Sequence, residues 1–89
     1  MLLDELDNYV SKEVGITLKE YRYTNIGGKM IYLEGQRGIV TLSNDEISFK
    51  LKTKTFTIKG MDLFIKYYDN NTALVYGRIV SVVVLWNLK

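Results

Sequence analysis

The stretch Ile79-Val80-Ser81-Val82-Val83-Val84-Leu85-Trp86 decides how the rest of the chain is read. Four of its eight residues are valine, and β-branched side chains favour the pleated strand over the helix. Numbered alternately, Ile79, Val83 and Leu85 fall on one face with Ser81, and Val80, Val82, Val84 and Trp86 fall on the other. A strand on a half-wet sheet alternates apolar with polar; this one is apolar on both sides and is expected to be covered on both. Eight residues are too short to span a bilayer, which takes about 20 in a helix. The cover is therefore expected to be protein: the chain's own second layer, a helix, or another copy. Trp86, closing the run, is read as core.

Working outward, the 89 residues fit a single domain, 1–89. A chain of this size buries a modest share of its surface, and small domains of this kind need staples or partners. With neither Cys nor His, disulfides, thiolate metal sites and the commonest general base are all absent from the composition. The net charge of +2 is too small to demand a polyanion, although residues 45–89 carry seven of the twelve basic groups and only four of the ten acidic ones. Met1-Leu2-Leu3-Asp4-Glu5 lacks the basic start of a signal peptide, so a cytoplasmic location is expected.

Leu3, Leu6, Val10 and Val14 recur at helical spacing, with Asp4, Glu5 and Asp7 in the first turns, where the helix dipole favours negative charge. Residues 2–14 are read as one amphipathic helix. From residue 16 to 86 the period changes to two. Ile16 and Leu18 open a first strand, Asn25-Ile26-Gly27-Gly28 forms a turn, and Met30–Leu33 and Ile39–Leu42 are short strands. Ile47, Phe49 and Leu51 face inward against Glu46, Ser48, Lys50 and Lys52; Phe56 and Ile58 face inward again before Gly60 interrupts. Leu63, Ile65 and Tyr67 alternate with Asp62, Phe64, Lys66 and Tyr68, and Ala73–Tyr76 leads through Gly77, a bulge or bend rather than a break, into the final run. The expected fold is mainly β: an antiparallel meander of seven or eight short strands curled into a roll or sandwich, with one N-terminal helix. No connection has room for the crossover helix of a parallel sheet.

Catalytic and metal motifs fail on spacing. Gly27-Gly28-Lys29 lacks the upstream Gly of a phosphate loop, where Tyr23 stands, and Met30 replaces its Ser/Thr. Asp69-Asn70-Asn71 would need Gly and Glu where Leu74 and Val80 stand to hold calcium. Neither cofactor nor metal is expected, and no catalytic constellation suggests itself. Lys50, Lys52, Lys54, Lys59 and Lys66 gather in one region and raise a second reading, a nucleic-acid face on a small β-barrel. Outward lysines on strands more often only solvate a sheet and blunt its edges, so nucleic acid is the lesser expectation. Tyr21, Tyr23, Tyr32 and Trp86 raise a third, weaker reading, stacking on sugars.

Four stretches in series carry a family likeness: Ile31-Tyr32-Leu33-Glu34-Gly35-Gln36-Arg37-Gly38-Ile39, Asp45-Glu46-Ile47-Ser48-Phe49, Phe56-Thr57-Ile58-Lys59-Gly60-Met61-Asp62-Leu63-Phe64-Ile65 and Leu74-Val75-Tyr76-Gly77-Arg78-Ile79. Their order and spacing resemble the YabP/YqfC family of sporulation proteins, nearer the YqfC branch. Val82-Val83-Val84 departs from it, standing where the family is more polar. The resemblance implies a non-enzymatic role in spore envelope or coat formation. It further implies a cytoplasmic protein, peripheral at the membrane of the mother cell or forespore, with a membrane-protein partner. It carries over no catalytic residue.

The residues themselves point the same way. An uncovered valine or leucine forgoes about 1.5–3 kcal/mol of burial, so a few of them drive association. Val80, Val82, Val84 and Trp86, with Leu3, Leu6 and Val10 of the helix, are the candidate interface. The expected outcome is a homo-oligomer, and a monomer by light scattering at high micromolar concentration would contradict it.

Overall fold

The computed structural model describes residues 20–87. They form six strands, β1 (Arg22–Ile26), β2 (Met30–Glu34), β3 (Ile39–Leu42), β4 (Glu46–Lys50), β5 (Lys54–Tyr68) and β6 (Thr72–Trp86). All pairings are antiparallel, in one sheet of order β1-β2-β6-β5-β4-β3. The helix expected over 2–14 and the strand opening at 16 fall outside the described residues. Among the described residues there are six strands, fewer than the expected pieces, because Gly60 lies inside β5 instead of ending it; Gly77 lies inside β6 as the bend expected of it. The meander is also incomplete. It holds from β3 to β6, but β6 then returns beside β2, which left the sheet through the linker 35–38.

That linker shows that the sheet folds over. The Gly35 amide donates to the Asn71 carbonyl at 2.7 Å, and three residues later the Gly38 carbonyl accepts from the Lys50 amide at 2.8 Å. Three residues reach at most about 11 Å. Lys50 pairs with Thr55, however, and Asn71 lies beyond Tyr68 at the far end of β5. Thirteen residues of straight strand would hold those ends roughly 43 Å apart. The long β5–β6 hairpin is therefore bent back across its middle. One half carries β2 and β1, and the other carries β4 and β3.

The bend is made of bulges. Val80 is an extra residue on β6 between the pairs Lys59–Ser81 and Gly60–Ile79, and β5 has an extra residue between Met61 and Phe64, where Asp62 takes φ 54°. Bulges sharpen local twist and re-aim side chains. Two close backbone approaches require glycine here. A Cβ on Gly60 would fall on the Arg78 carbonyl oxygen, and one on Gly77, at φ 141°, would sit 2.8 Å from both the Asp62 carbonyl oxygen and Leu63. Both short hairpins dock their turns on the bend. Gly77 and Ile79 donate to Lys29 and Gly28 at 3.1 and 2.8 Å, and Gly60 and Leu63 donate to Asp45 and Asn44 at 3.1 and 2.8 Å.

Folding the sheet over encloses one core: Ile31 and Leu33 of β2, Ile47 and Phe49 of β4, Leu51, Phe56, Ile58 and Leu63, with Ala73 and Val75 of β6. The inward alternation expected for Ile47, Phe49, Leu51, Phe56 and Ile58 holds. Tyr21 and Tyr23 close one side edge-on to Phe56, at centroid distances of 5.9 and 4.9 Å, a geometry that adds about 0.5–1.5 kcal/mol per pair. Gln36, buried in the linker, donates to the carbonyls of Asp69 (2.7 Å) and Thr72 (3.1 Å) and accepts from the Gly38 amide (2.8 Å), tying the linker to the hairpin tip.

Gly60→Ala should therefore cost about 2–3 kcal/mol, through crowding that the backbone cannot relieve. Gly27→Asn is the control: that turn glycine, at φ 61°, has open space around it, and Asn tolerates the left-handed region, so the change should stay within about 0.5 kcal/mol. Urea denaturation of the two variants checks the contrast; equal losses would contradict the bend.

Candidate interaction surfaces

The apolar run lies in the second half of β6, where it pairs without interruption from Ser81 to Trp86 with Lys59 to Lys54 of β5. The expectation of cover on both faces is corrected. Val82 and Val84 are half-buried against the core, but Val80, Val83 and Leu85 are exposed, and Trp86 is 67% exposed. The physical reasons are local. Val80 is the bulge residue and leaves the phase of Val82 and Val84. Trp86 closes the strand, where the sheet gives it no opposing layer among the described residues. The Lys54 ammonium instead sits 3.8 Å from the Trp86 ring centroid and 3.3 Å from a Glu20 carboxylate oxygen. A cation over an indole face is attracted by the ring's quadrupole. Leu3, Leu6 and Val10 lie outside the described residues.

A second apolar surface went unread in the sequence. On the outer side of the β1–β2 half, cross-strand partners place Tyr32, Leu74 and Tyr67 in one row and Ile26, Met30, Tyr76 and Phe64 in the next. Phe64 and Tyr67 are 51% and 52% exposed, and Phe64 packs on Tyr76 at 5.7 Å. Simple alternation puts Phe64 and Tyr67 on opposite faces and Tyr67 inside. The irregularity at Lys66 moves Tyr67 out and the two aromatics share a face. The one signal in the sequence was the density of aromatics between 64 and 76.

The five lysines do not make one face. Lys50 and Lys59 are exposed on the outer side of the β3–β4 half, where Lys59 stands opposite Glu46. Lys52 is in the β4–β5 loop, Lys54 is engaged by Glu20 and Trp86, and Lys66 lies on the other half of the fold, 5.9 Å from the Tyr76 ring centroid. A depression of about 330 Å³ beside Glu20, Tyr21, Arg22, Glu34, Gly35 and Asn71 is open and polar, with Arg22 and Glu34 paired at 3.8 Å. Binding sites for small molecules are mostly enclosed and apolar, so it offers little to hold one. No group of three or more acidic residues is arranged to hold a metal ion among the described residues, and no helix among them is long and apolar enough to cross a membrane.

The residues once weighed as a phosphate loop and a calcium loop are turns. Lys29 donates to the Ile26 carbonyl across Gly27-Gly28 at 3.0 Å. Asp69 spends its carboxylate on its own hairpin: Oδ1 accepts from the Asn71 amide, the Thr72 amide and the Thr72 hydroxyl at 3.0, 2.8 and 2.7 Å, and Oδ2 accepts from the Tyr67 hydroxyl at 2.8 Å.

Comparison with known protein families, with curated proteins and with solved structures finds no match for this chain.

The hydrogen bonds from Thr72, Asn71 and Tyr67 hold the Asp69 carboxyl well below its ordinary range. Burial pushes the Glu20 carboxyl up, but the hydrogen bonds from Thr53 and the Lys54 ammonium outweigh it and bring the net shift down. Donating to Asp69 pushes the Tyr67 phenol up. Carboxyls depressed in the fold stabilise it above their unfolded range of about 4, and that contribution is lost as pH falls further, because the unfolded chain takes up protons first. The urea midpoint should stay level from pH 7 to about 5 and fall below about 4. Asp69→Asn should lower the plateau and flatten the fall; a wild-type midpoint unchanged at pH 3 would contradict this.

Proposed function

We propose that this chain is a non-enzymatic assembly module of the YabP/YqfC kind. It acts in spore envelope or coat formation, associates with its own copies and docks on a sporulation membrane protein from the cytoplasmic side. It is a small antiparallel β-domain of roll or sandwich type. The four stretches that carry the family likeness fall on its framework. Glu34–Gly38 leads into the linker that clamps the hairpin tip, Gly60 and Gly77 form the bend, and Ile47, Phe49, Phe56 and Ile58 fill the core. The likeness is thus a likeness of scaffold, which is what an assembly protein without catalytic residues would keep.

One observation carries the reading. Fourteen large hydrophobic side chains are exposed among the described residues, against ten buried in the core, and many of them gather on the aromatic face and the β6 run. Scattered exposed apolar residues are ordinary on any protein, but contiguous ones mark surfaces that another molecule covers. Tyrosine and phenylalanine supply large contact area at low entropic cost, which suits the aromatic face to a protein partner. The lysines, spread over both halves, make a poor track for a phosphate backbone.

The test is co-purification, from sporulating cells, of the tagged chain with the membrane protein encoded beside it. Wild type should retain that protein, and Phe64→Glu with Tyr67→Glu should reduce retention at least tenfold while the circular dichroism is unchanged. No retention by the wild type would overturn the proposal. So would a salt-dependent gel shift with single-stranded nucleic acid, which would revive the lysine face.

A further inference from the structure

The folded-over sheet has four free edges among the described residues: β1, β3, the second half of β5 and the second half of β6. Exposed edges present unpaired amides and carbonyls, and proteins blunt them with charge, proline, bulges or brevity. Three of the four are blunted. β1 starts on Arg22 and continues through Thr24 and Asn25, β3 is four residues long with its register broken between Ile39 and Thr41, and the β5 edge carries Lys66 at an irregularity.

Past the bulge at Val80, the β6 edge has none of these devices. Its first five residues are paired on both sides, and the Gly77 and Ile79 amides reach the β1–β2 turn; from Val80 to Trp86 only β5 pairs with it among the described residues. Its pairing with β5 is regular from Ser81 to Trp86, and the sequence from Ile79 to Leu88 contains no charge and no proline.

We infer that two copies of the chain pair antiparallel along this edge, Val80–Trp86, about a two-fold axis at Val83, making one eight-stranded layer from two four-stranded ones. The inference rests on the reading of the chain as an assembly module and names its first partner as itself. The choice of a second copy follows from self-complementarity. Antiparallel partners directly opposite each other lie on the same face of the sheet, so a two-fold axis between like strands must pass through a residue, and Val83 is the midpoint of the free segment. That register sets Val82 against Val84 of the second copy and Ser81 against Leu85. Valine then meets valine on the core side, extending the rows Leu42-Ile47-Ile58-Val82 and Ile39-Phe49-Phe56-Val84 across the axis. No charged residue opposes a like charge anywhere along the pair. Lys54 and Lys59, the cations of the neighbouring strand beside this edge, stand against Glu20 and Glu46. An edge with no charge offers a different protein nothing to be selected by, while its own copy matches it residue for residue.

The chain has no native cysteine, so the register can be read by cross-linking the full-length protein. Val83→Cys should link to itself under mild oxidation, since strand partners on the axis lie within disulfide reach. A mixture of Ser81→Cys and Leu85→Cys chains should link to each other far faster than either links to itself, and Val40→Cys on the β3 edge should not link. By light scattering the wild type should show twice its 10.3 kDa, and Val83→Lys, which sets two cations against each other on an outward-facing position, should halve that mass with the circular dichroism unchanged. A wild-type monomer at high micromolar concentration would overturn the pairing, as would a dimer linked through Val40→Cys and not Val83→Cys. The two proposals separate cleanly. A monomer that still retains the membrane protein loses the edge pairing and self-association and keeps the docking role, and a β6-linked dimer that retains nothing loses only the docking role.

Discussion

The structure depends on the reversal of one hairpin. β5 and β6 are each fifteen residues long, and left straight they would form a ribbon with nothing on either face. Bent at Gly60 and Gly77, they become the floor and the roof of one core. The bend is backbone against backbone: the Arg78 carbonyl occupies the space where a side chain on Gly60 would stand. Everything else answers to that contact. The two short hairpins attach one to each half and rest their turns on the bend. The linker 35–38 then spans the short gap the reversal has created, with Gln36 satisfied on three sides. With no disulfide available, hydrogen bonds at the hairpin tip and bend do the work of a staple.

Strict alternation made half of this legible in the sequence. Ile47, Phe49, Phe56 and Ile58 sit in unbroken pairing, with Leu51 just past it, and there the two-residue period finds the inward side chains, although Ser48 between them is buried too. It fails wherever a bulge shifts the phase. Tyr67 turns outward one residue past Lys66, and Val80 loses the face it shares on paper with Val82. The valine run also shows that apolar character on both sides of a strand states a demand for cover without saying that the chain itself supplies it. Gly60 reads as an interruption, because a glycine that ends a strand and one that lets two backbones touch look alike in a string, whereas Gly77 reads as the bend it is. The linker's role was invisible, since Gln36 finds its partners more than thirty residues away.

The two open surfaces face different tasks. The aromatic face is broad, carried on a rigid half-sheet, and rich in side chains that pack well against a protein. The β6 edge is narrow and presents main-chain groups along an uncharged strand. On the proposed reading, a module with both joins its own kind along one direction and a different partner along another.

The return of β6 to β2 also sets an order of events. β3, β4 and β5 can pair with one another as soon as they exist, but β2 lies about forty residues ahead of the strand it pairs with. During synthesis the β1–β2 hairpin must wait for its partner until β6 has been made, and such distant pairings are slow to form. During that interval the inward side chains of β2, Ile31 and Leu33, lack the strand that covers them, so a later strand protects an earlier one.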